Sequence, residues 1–387
     1  MNVEVVFFGL LSALMISFIF AEFFYNISYP RVLGQIIAGM VLGYPLIKPL
    51  VFQGAFPDLV SALSQIGIVF LMLLVGLKIN VKNMRRASWD ATLIAFFGFT
   101  VPLVMGFFGM RVLGYSHLEA VITGICLAIS AEAVAVEILM EYNKLSTRVG
   151  TIVVEAGMID DVLGVFSLSI IAGFLSGGLG GLIFMPAEIA LFLVASYVIG
   201  FKVYPQVARF IWREKSEEGV FTVSVIFGLT VVVLSEYLGL SSLVGAFIAG
   251  LIIHLSIKDK KEEEEIVDSF QKITFGLIIP FFFISIGLNF EYGFLNQRLV
   301  LLILYITLLA FAGKLGGTYL SGKILRLPSK EASIIGWSMN SRGMVGLVVA
   351  EIARANNLIT PALFTAIVAT TLLTTLISPA VLRRYLQ

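Results

Sequence analysis

Apolar stretches of about 20 residues recur along the whole of this 387-residue chain. A stretch of that length can cross the hydrocarbon core of a bilayer as an α-helix. Hydrophobic residues make up 59% of the chain and charged residues only 13%, a balance that a soluble domain of this size could not bury. The sequence therefore predicts an all-α, polytopic membrane protein.

We predict thirteen membrane-spanning helices, at residues 5–26, 31–50, 58–79, 91–114, 117–140, 149–175, 186–204, 219–238, 240–256, 270–292, 298–324, 332–355 and 361–383. Alternate loops between these helices carry 20 of the 26 Lys and Arg residues. Cytoplasmic loops hold the excess of basic residues in membrane proteins. We therefore expect the N-terminus outside the cell membrane and the C-terminus in the cytoplasm.

Two adjacent carboxylates, Asp160 and Asp161, lie inside the sixth predicted helix. Each ionised carboxylate costs at least ~2.5 kcal/mol in hydrocarbon, so the pair is expected to bind a cation or a proton. Neighbouring residues on a helix point about 100° apart, so one aspartate can face a cavity while the other pairs with a counter-charge. Lys314, Arg342 and Glu132 are predicted at the same depth, near the membrane midplane. The pattern indicates one intramembrane ion site.

An internal repeat relates the two halves of the chain at an offset of 211 residues. The matched positions are Gly34 with Gly245, Gly39 with Gly250, Gly76 with Gly287, and Ser130 with Ser341. Seven predicted helices separate the copies, and an odd number inverts the second copy in the membrane. We expect repeats at residues 1–176 and 219–387, joined by a linker helix and cytoplasmic loop at 177–218. The fifth and twelfth predicted helices are then equivalent in the two repeats, and we expect both to be interrupted, near Ser130 and near Gly343.

With these residues assembled, the chain resembles the second subfamily of cation:proton antiporters, which contains NapA-type sodium/proton antiporters and glutathione-gated potassium/proton exchangers. The resemblance rests on the segments PRVLGQIIAGMVLG, QIGIVFLMLLVGLKI, RVGTIVVEAGMIDDVLGV, SSLVGAFIAGLII, PFFFISIGLNF, GKLGG and SRGMVGLVVAEI. It implies an NhaA-like fold with inverted repeats and discontinuous crossing helices. It also implies exchange of Na+ and Li+ for H+, a homodimer, and an elevator-like movement of a core domain.

The resemblance makes Asp161 the main carrier of cation and proton, and Asp160 the partner of Lys314. If Lys314 releases a proton when Na+ arrives, two protons can move per Na+ and exchange is electrogenic. Both aspartates are then expected to contribute to the Na+ site, and Ser130 can add its hydroxyl or carbonyl oxygen. A serine in a membrane helix also commonly serves only to pack helices, so this alternative stays open.

Two segments depart from the family pattern. The family usually has Arg-Gly-Glu where this chain has Arg342-Gly343-Met344, and threonine with a small polar residue where it has Ala131-Glu132. Since Arg342 stays charged, it needs permanent partners in the membrane. We expect a structural charge pair between Arg342 and Glu155, or between Arg342 and Glu132. Glu132 is equally a candidate cation ligand.

The function expected from these features is transport and not enzymatic catalysis. Partners are monovalent cations, protons, the lipid bilayer and a second copy of the chain, with a role in pH homeostasis. No cofactor and no nucleic acid are expected, because one cysteine and two histidines form no metal motif and no nucleic-acid module is recognisable. The alternatives are a K+/H+ exchanger, although those proteins usually have Gln-Asp at the aspartate pair, and a cation channel or membrane sensor.

Overall fold

The computed structural model describes residues 3–79, 87–204, 206, 217–257, 260–292 and 297–387. Every regular element in these ranges is a helix. Eight of the described helices are long and apolar enough to cross a membrane, judged by length and composition. This is the architecture of a multi-pass membrane protein. The exact number of spans stays a prediction.

The described elements follow one another as α1 (Val3–Asn26), α2 (Arg31–Gly43), α3 (Lys48–Val51), α4 (Phe56–Lys78), α5 (Trp89–Val112), α6 (His117–Ala128), α7 (Ala133–Glu141), α8 (Arg148–Val198), α9 (Glu217–Tyr237), α10 (Ser242–Ser256), α11 (Lys260–Ile273), α12 (Ile279–Leu288), α13 (Gln297–Ile324), α14 (Ser329–Ser338), α15 (Met344–Ala355) and α16 (Pro361–Leu386). Two π-helical turns, Ile199–Val203 and Thr274–Ile278, follow α8 and α11.

The chain forms two compact units. The first contains Met1–Phe56, Val81–Gly164 and Phe283–Gln387, and the second contains Pro57–Asn80 and Val165–Phe282. In the first unit α13 packs on α5 and α16, α5 packs on α6, and α1 packs on α2. In the second unit α9 packs on α10. All seven candidate site residues belong to the first unit.

Glycines bring neighbouring backbones together within each unit. In the first unit, a Cβ on Gly39 would overlap the carbonyl oxygen of Ile284, and one on Gly287 would overlap that of Ile36. Small residues permit such close approach between membrane helices.

The second unit has the same pattern at the positions that the repeat predicts. A Cβ on Gly250 would overlap the carbonyl oxygen of Leu73, and one on Gly76 would overlap that of Phe247. Each of these residues lies 211 positions from its counterpart in the first unit. The inverted repeat itself, with its boundaries at 1–176, 177–218 and 219–387, stays a prediction.

Both predicted interruptions are present in the first unit. The helix expected at 117–140 stops after Ala128 and resumes as α7 at Ala133, and the helix expected at 332–355 stops after Ser338 and resumes as α15 at Met344. The two restarts are 211 residues apart. The amide of Ala131 in one break donates to the carbonyl oxygen of Ser341 in the other, at 2.8 Å, so the two breaks lie side by side.

The prediction of separate helices at 149–175 and 186–204 was wrong. The structure has one helix, α8, of 51 residues, which at 1.5 Å per residue runs for about 77 Å. The glycine-rich sequence between the two predicted helices weakened the expectation of a helix there, but glycine lowers helix propensity by only about 1 kcal/mol and does not end a helix by itself. The predicted helix at 31–50 also ends early, at Gly43.

Part of the predicted linker and several basic residues used to infer orientation lie outside the described residues. They are position 205 and positions 207–216 of the linker, together with Lys82, Arg85, Arg86, Arg209, Arg213, Lys215 and Lys258.

The glycine contacts predict a stability effect. Gly39→Ala places a methyl group against the main chain of Ile284, and such overpacking costs about 1–3 kcal/mol. We expect a melting temperature several degrees below wild type in detergent. Gly316→Ala is the control, because nothing lies within 4 Å of its Cβ position and alanine favours the helix. Equal melting temperatures for the two variants would contradict the close packing at Gly39.

Candidate functional site

Asp160 lies at the centre of a buried polar cluster in the first unit. Its side chain is fully buried, and its Oδ2 accepts a hydrogen bond from the amide of Ser130 at 2.7 Å and another from the Ser130 hydroxyl. The Nζ of Lys314 lies 3.3 Å from the same oxygen. Three elements therefore meet at one carboxylate: α8, the break between α6 and α7, and α13. The predicted Asp160–Lys314 ion pair is present.

The helix break explains why these groups converge. Because α6 ends at Ala128, the last carbonyls of the helix have no amide partner within it. The Nζ of Lys314 donates to the carbonyl oxygen of Ala128 at 2.7 Å. The partial negative charge at a helix C-terminus stabilises a cation. Lys314 is thus held by a carboxylate and by a helix end.

Arg342 is held almost entirely by main-chain oxygens. Its Nη1 donates to the carbonyl oxygen of Asn340 at 2.7 Å and to Oδ1 of the same residue at 3.0 Å. Its Nη2 donates to the carbonyl oxygens of Leu127, at 3.0 Å, and Ala310, at 2.7 Å. Leu127 is in the last turn of α6, and Asn340 follows the end of α14, so the ends of both interrupted helices contribute.

The predicted charge pair between Arg342 and Glu155 was wrong. Oε2 of Glu155 accepts from the amide of Ser88 at 2.9 Å and from its hydroxyl at 2.7 Å. Ser88 is the N-cap of α5, where the helix dipole favours a negative charge. Among the described residues, Arg342 makes no ion pair with Glu132 either. Carbonyl oxygens at the helix breaks supply the missing acceptors.

Asp161 and Glu132 are the remaining carboxylates of the cluster. Asp160 is fully buried, whereas Asp161 is partly exposed. Glu132 and Asp160 both act electrostatically on Asp161. Glu132 is the N-cap residue of α7, yet its side chain makes no capping hydrogen bond.

Two polar residues near Arg342 were missed by sequence reasoning. Nδ2 of Asn340 donates to Oγ of Ser378 at 2.9 Å, and Oγ1 of Thr375 donates to the carbonyl oxygen of Arg342 at 2.8 Å. Both bonds join the second break to α16. An asparagine two residues before a midplane arginine was a usable signal. The carbonyl groups of Leu127 and Ala310 give no such signal in the sequence, because every residue has a main-chain carbonyl group.

The family model described as "Sodium/hydrogen exchanger, transmembrane" matches residues 10–387. The chain is 28% identical over 360 residues to the Na(+)/H(+) antiporter of Enterococcus hirae, covering 92% of this chain and 91% of that protein. It is also 28% identical over 358 residues to the Na(+)/H(+)-K(+) antiporter GerN of Bacillus cereus, covering 92% and 90%.

A solved structure shares the fold. The sodium proton antiporter MjNhaP1 from Methanocaldococcus jannaschii superposes with a TM-score of 0.71 at 17% identity, covering 100% of this chain and 99% of that chain.

The Arg342 contacts predict a strict requirement for a guanidinium. Lysine presents a single nitrogen and cannot reach four oxygens on three elements. We expect Arg342→Lys to cost about 2–4 kcal/mol of stability, seen as a lower melting temperature in detergent. Arg354→Lys is the matched control, since Arg354 pairs with Glu351 at a site where the arginine is 28% exposed, and it should change stability by less than about 1 kcal/mol. An Arg342→Lys variant as stable as this control would refute the assignment.

Proposed function

Because the chain belongs to the sodium/hydrogen exchanger family, we propose that it is a secondary antiporter that exchanges Na+ and Li+ for H+ across the cell membrane. The observation that carries the proposal is the position of Asp160, Asp161 and Lys314 beside two interrupted helices. The relatives named as Na(+)/H(+) antiporters support the same reaction.

Asp161 carries the transported ion in this proposal. Asp161 is partly exposed, whereas the carboxylate of Asp160 is buried and engaged by Ser130 and Lys314. Hard monovalent cations favour oxygen ligands, by the same logic that governs other hard cations. A proton and Na+ therefore compete for Asp161. Each ion is carried in turn as the site is exposed to one side and then the other.

The conformational cycle follows from the predicted repeat. Two inverted copies allow alternating access, in which the site opens to each side in turn. The glycine contacts repeated at an offset of 211 residues support this proposal. An N-terminus outside, a homodimer and a contribution to pH homeostasis belong to the same proposal.

A K+/H+ exchanger is the second candidate. It is favoured by the relative from Bacillus cereus, whose name includes K+. Both candidates use the same site, so purified protein in liposomes decides between them. Na+, Li+ or K+ gradients are imposed in turn, and proton movement is followed with a pH-sensitive dye. We expect Na+ and Li+ to move protons and K+ to do so weakly. A response to K+ alone would reject Na+/H+ exchange, and ion flow without coupled protons would indicate a channel.

Removing the Asp161 carboxylate tests the site. Asp161→Asn should abolish Na+-driven proton movement and leave a folded protein, because loss of a buried charge need not cost stability. Asp90→Asn is the control, since Asp90 pairs with the exposed Arg148 at the periphery. In wild type, competition predicts that the KM for Na+ falls at least about tenfold per pH unit while a proton occupies Asp161. Exchange by Asp161→Asn at the wild-type rate would exclude Asp161 as the carrier.

Electrogenic exchange is predicted from the Asp160–Lys314 pair. If Na+ binding breaks the pair and Lys314 loses its proton, two protons move per Na+, and membrane voltage contributes ~2.3 kcal/mol per net charge per 100 mV. Na+-driven exchange is measured with the potential clamped by K+ and valinomycin. The wild-type rate should depend on voltage. Rates that are indifferent to voltage at both saturating and subsaturating Na+ would count against two-proton coupling.

A further inference from the structure

One oxygen atom of the cluster has no explanation in the contacts described so far. Oε2 of Glu132 is buried and has no hydrogen-bond partner among the described residues. A buried carboxylate oxygen without a partner is unfavourable, so native proteins rarely leave one unless a ligand or ion completes its shell. A cation or a proton from outside the chain can complete the surroundings of this oxygen.

Gly157 fixes where this carboxylate lies. The Oε1 atom of Glu132 lies 2.6 Å from the position that a Cβ on Gly157 would occupy. On a helix, residues three and four positions apart are neighbours on one face, so Asp160 and Asp161 both adjoin Gly157 along α8. The absent side chain of Gly157 thus leaves room for the Glu132 carboxylate beside both aspartates.

The cations of the cluster do not account for this oxygen. Arg342 donates to oxygens of Asn340, Leu127 and Ala310, and Lys314 donates to Ala128 and Asp160. The alternative that Glu132 is the counter-charge of Arg342 is therefore not realised, although Lys314 acts electrostatically on Glu132. A ligand role remains.

Formal charges lead to the same conclusion. Three carboxylates, Asp160, Asp161 and Glu132, lie near two cationic groups, Lys314 and Arg342. Ionisation of all five leaves one negative charge in excess. While Lys314 keeps its proton, a single monovalent cation balances that charge, whereas a divalent cation overcompensates it; once Lys314 loses its proton, one negative charge remains with Na+ bound.

We propose that Glu132 is a second carboxylate ligand of the transported cation, opposite Asp161, and that this ligand makes the site selective for Na+ and Li+ over K+. The proposal rests on the antiport function proposed above. Coulomb attraction rises as the ion approaches more closely, so a second full charge favours the smaller ion. The chain has this carboxylate where the resemblance leads one to expect a neutral polar side chain.

The experiment compares KM values for Na+, Li+ and K+ in liposomes at one alkaline pH. Glu132→Thr removes the carboxylate, and Glu132→Gln keeps its size without its charge. We expect both variants to raise the KM for Na+ about tenfold or more and to raise that for K+ less, so that the Na+/K+ preference falls. Glu155→Gln is the matched control, because Glu155 binds Ser88, and its KM values should equal those of wild type.

Gly157→Ala tests the geometry without changing any charge. Its methyl group would displace the flexible end of Glu132, so the KM for Na+ should rise. In a Glu132→Ala background no γ atom remains near the methyl group, so Gly157→Ala should add no further effect. An equal effect of Gly157→Ala in both backgrounds would mean that it acts elsewhere and would overturn the geometric assignment.

A binding measurement keeps the proposal testable if a variant transports poorly. If Na+ binds only the folded protein, the melting temperature is higher in a Na+ solution than in a choline solution. Wild type and Glu155→Gln should show this increase, and Glu132→Thr should need a higher Na+ concentration for it. If Glu132→Thr and Glu132→Gln keep the wild-type Na+ response, the ligand role is wrong while antiport stands. Absence of cation-driven proton movement in wild type would instead reject the antiport function.

Discussion

The candidate site depends on two helices that stop inside the first unit. Where α6 ends at Ala128 and α14 ends at Ser338, carbonyl groups lose their intrahelical partners. Lys314 and Arg342 supply the missing donors. Two buried cations and two broken helices therefore satisfy each other. An uninterrupted helix at either place would remove part of the acceptors of the corresponding cation.

Because oxygens other than carboxylates hold Arg342, the carboxylates of the site are not needed as its counter-charges. Arg342 uses carbonyl oxygens, so neither Glu132 nor Glu155 is needed to balance it. Glu155 instead caps α5 through Ser88, and Asp160 binds Lys314 and the amide of Ser130. Within the described part of the chain, Asp161 and Glu132 form no ion pair, although Lys314 acts electrostatically on Glu132.

The sequence predicted the elements of the site better than their pairing. The aspartate pair, Lys314 and the interruption at Gly343 were recognisable because charges and glycines are distinctive inside apolar stretches. The interruption near Ser130 was predicted from the repeat alone, because its helix has no glycine or proline there. The partners of Arg342 were not, because three of its four acceptors are main-chain carbonyls, which no residue type marks. The continuous helix α8 was also missed. Glycines in a sequence do not reveal whether tertiary packing overrides their low helix propensity.

A charge held by main-chain oxygens is maintained by the shape of the chain and not by the identity of a side chain. The family resemblance predicts a glutamate at the position of Met344, so a comparison of sequences alone would suggest that the site has lost a charged residue. The carbonyl oxygens around Arg342 show that substitution there can be neutral for the guanidinium as long as both helices stop where they do. The methionine in this chain is therefore no sign that the guanidinium lacks partners.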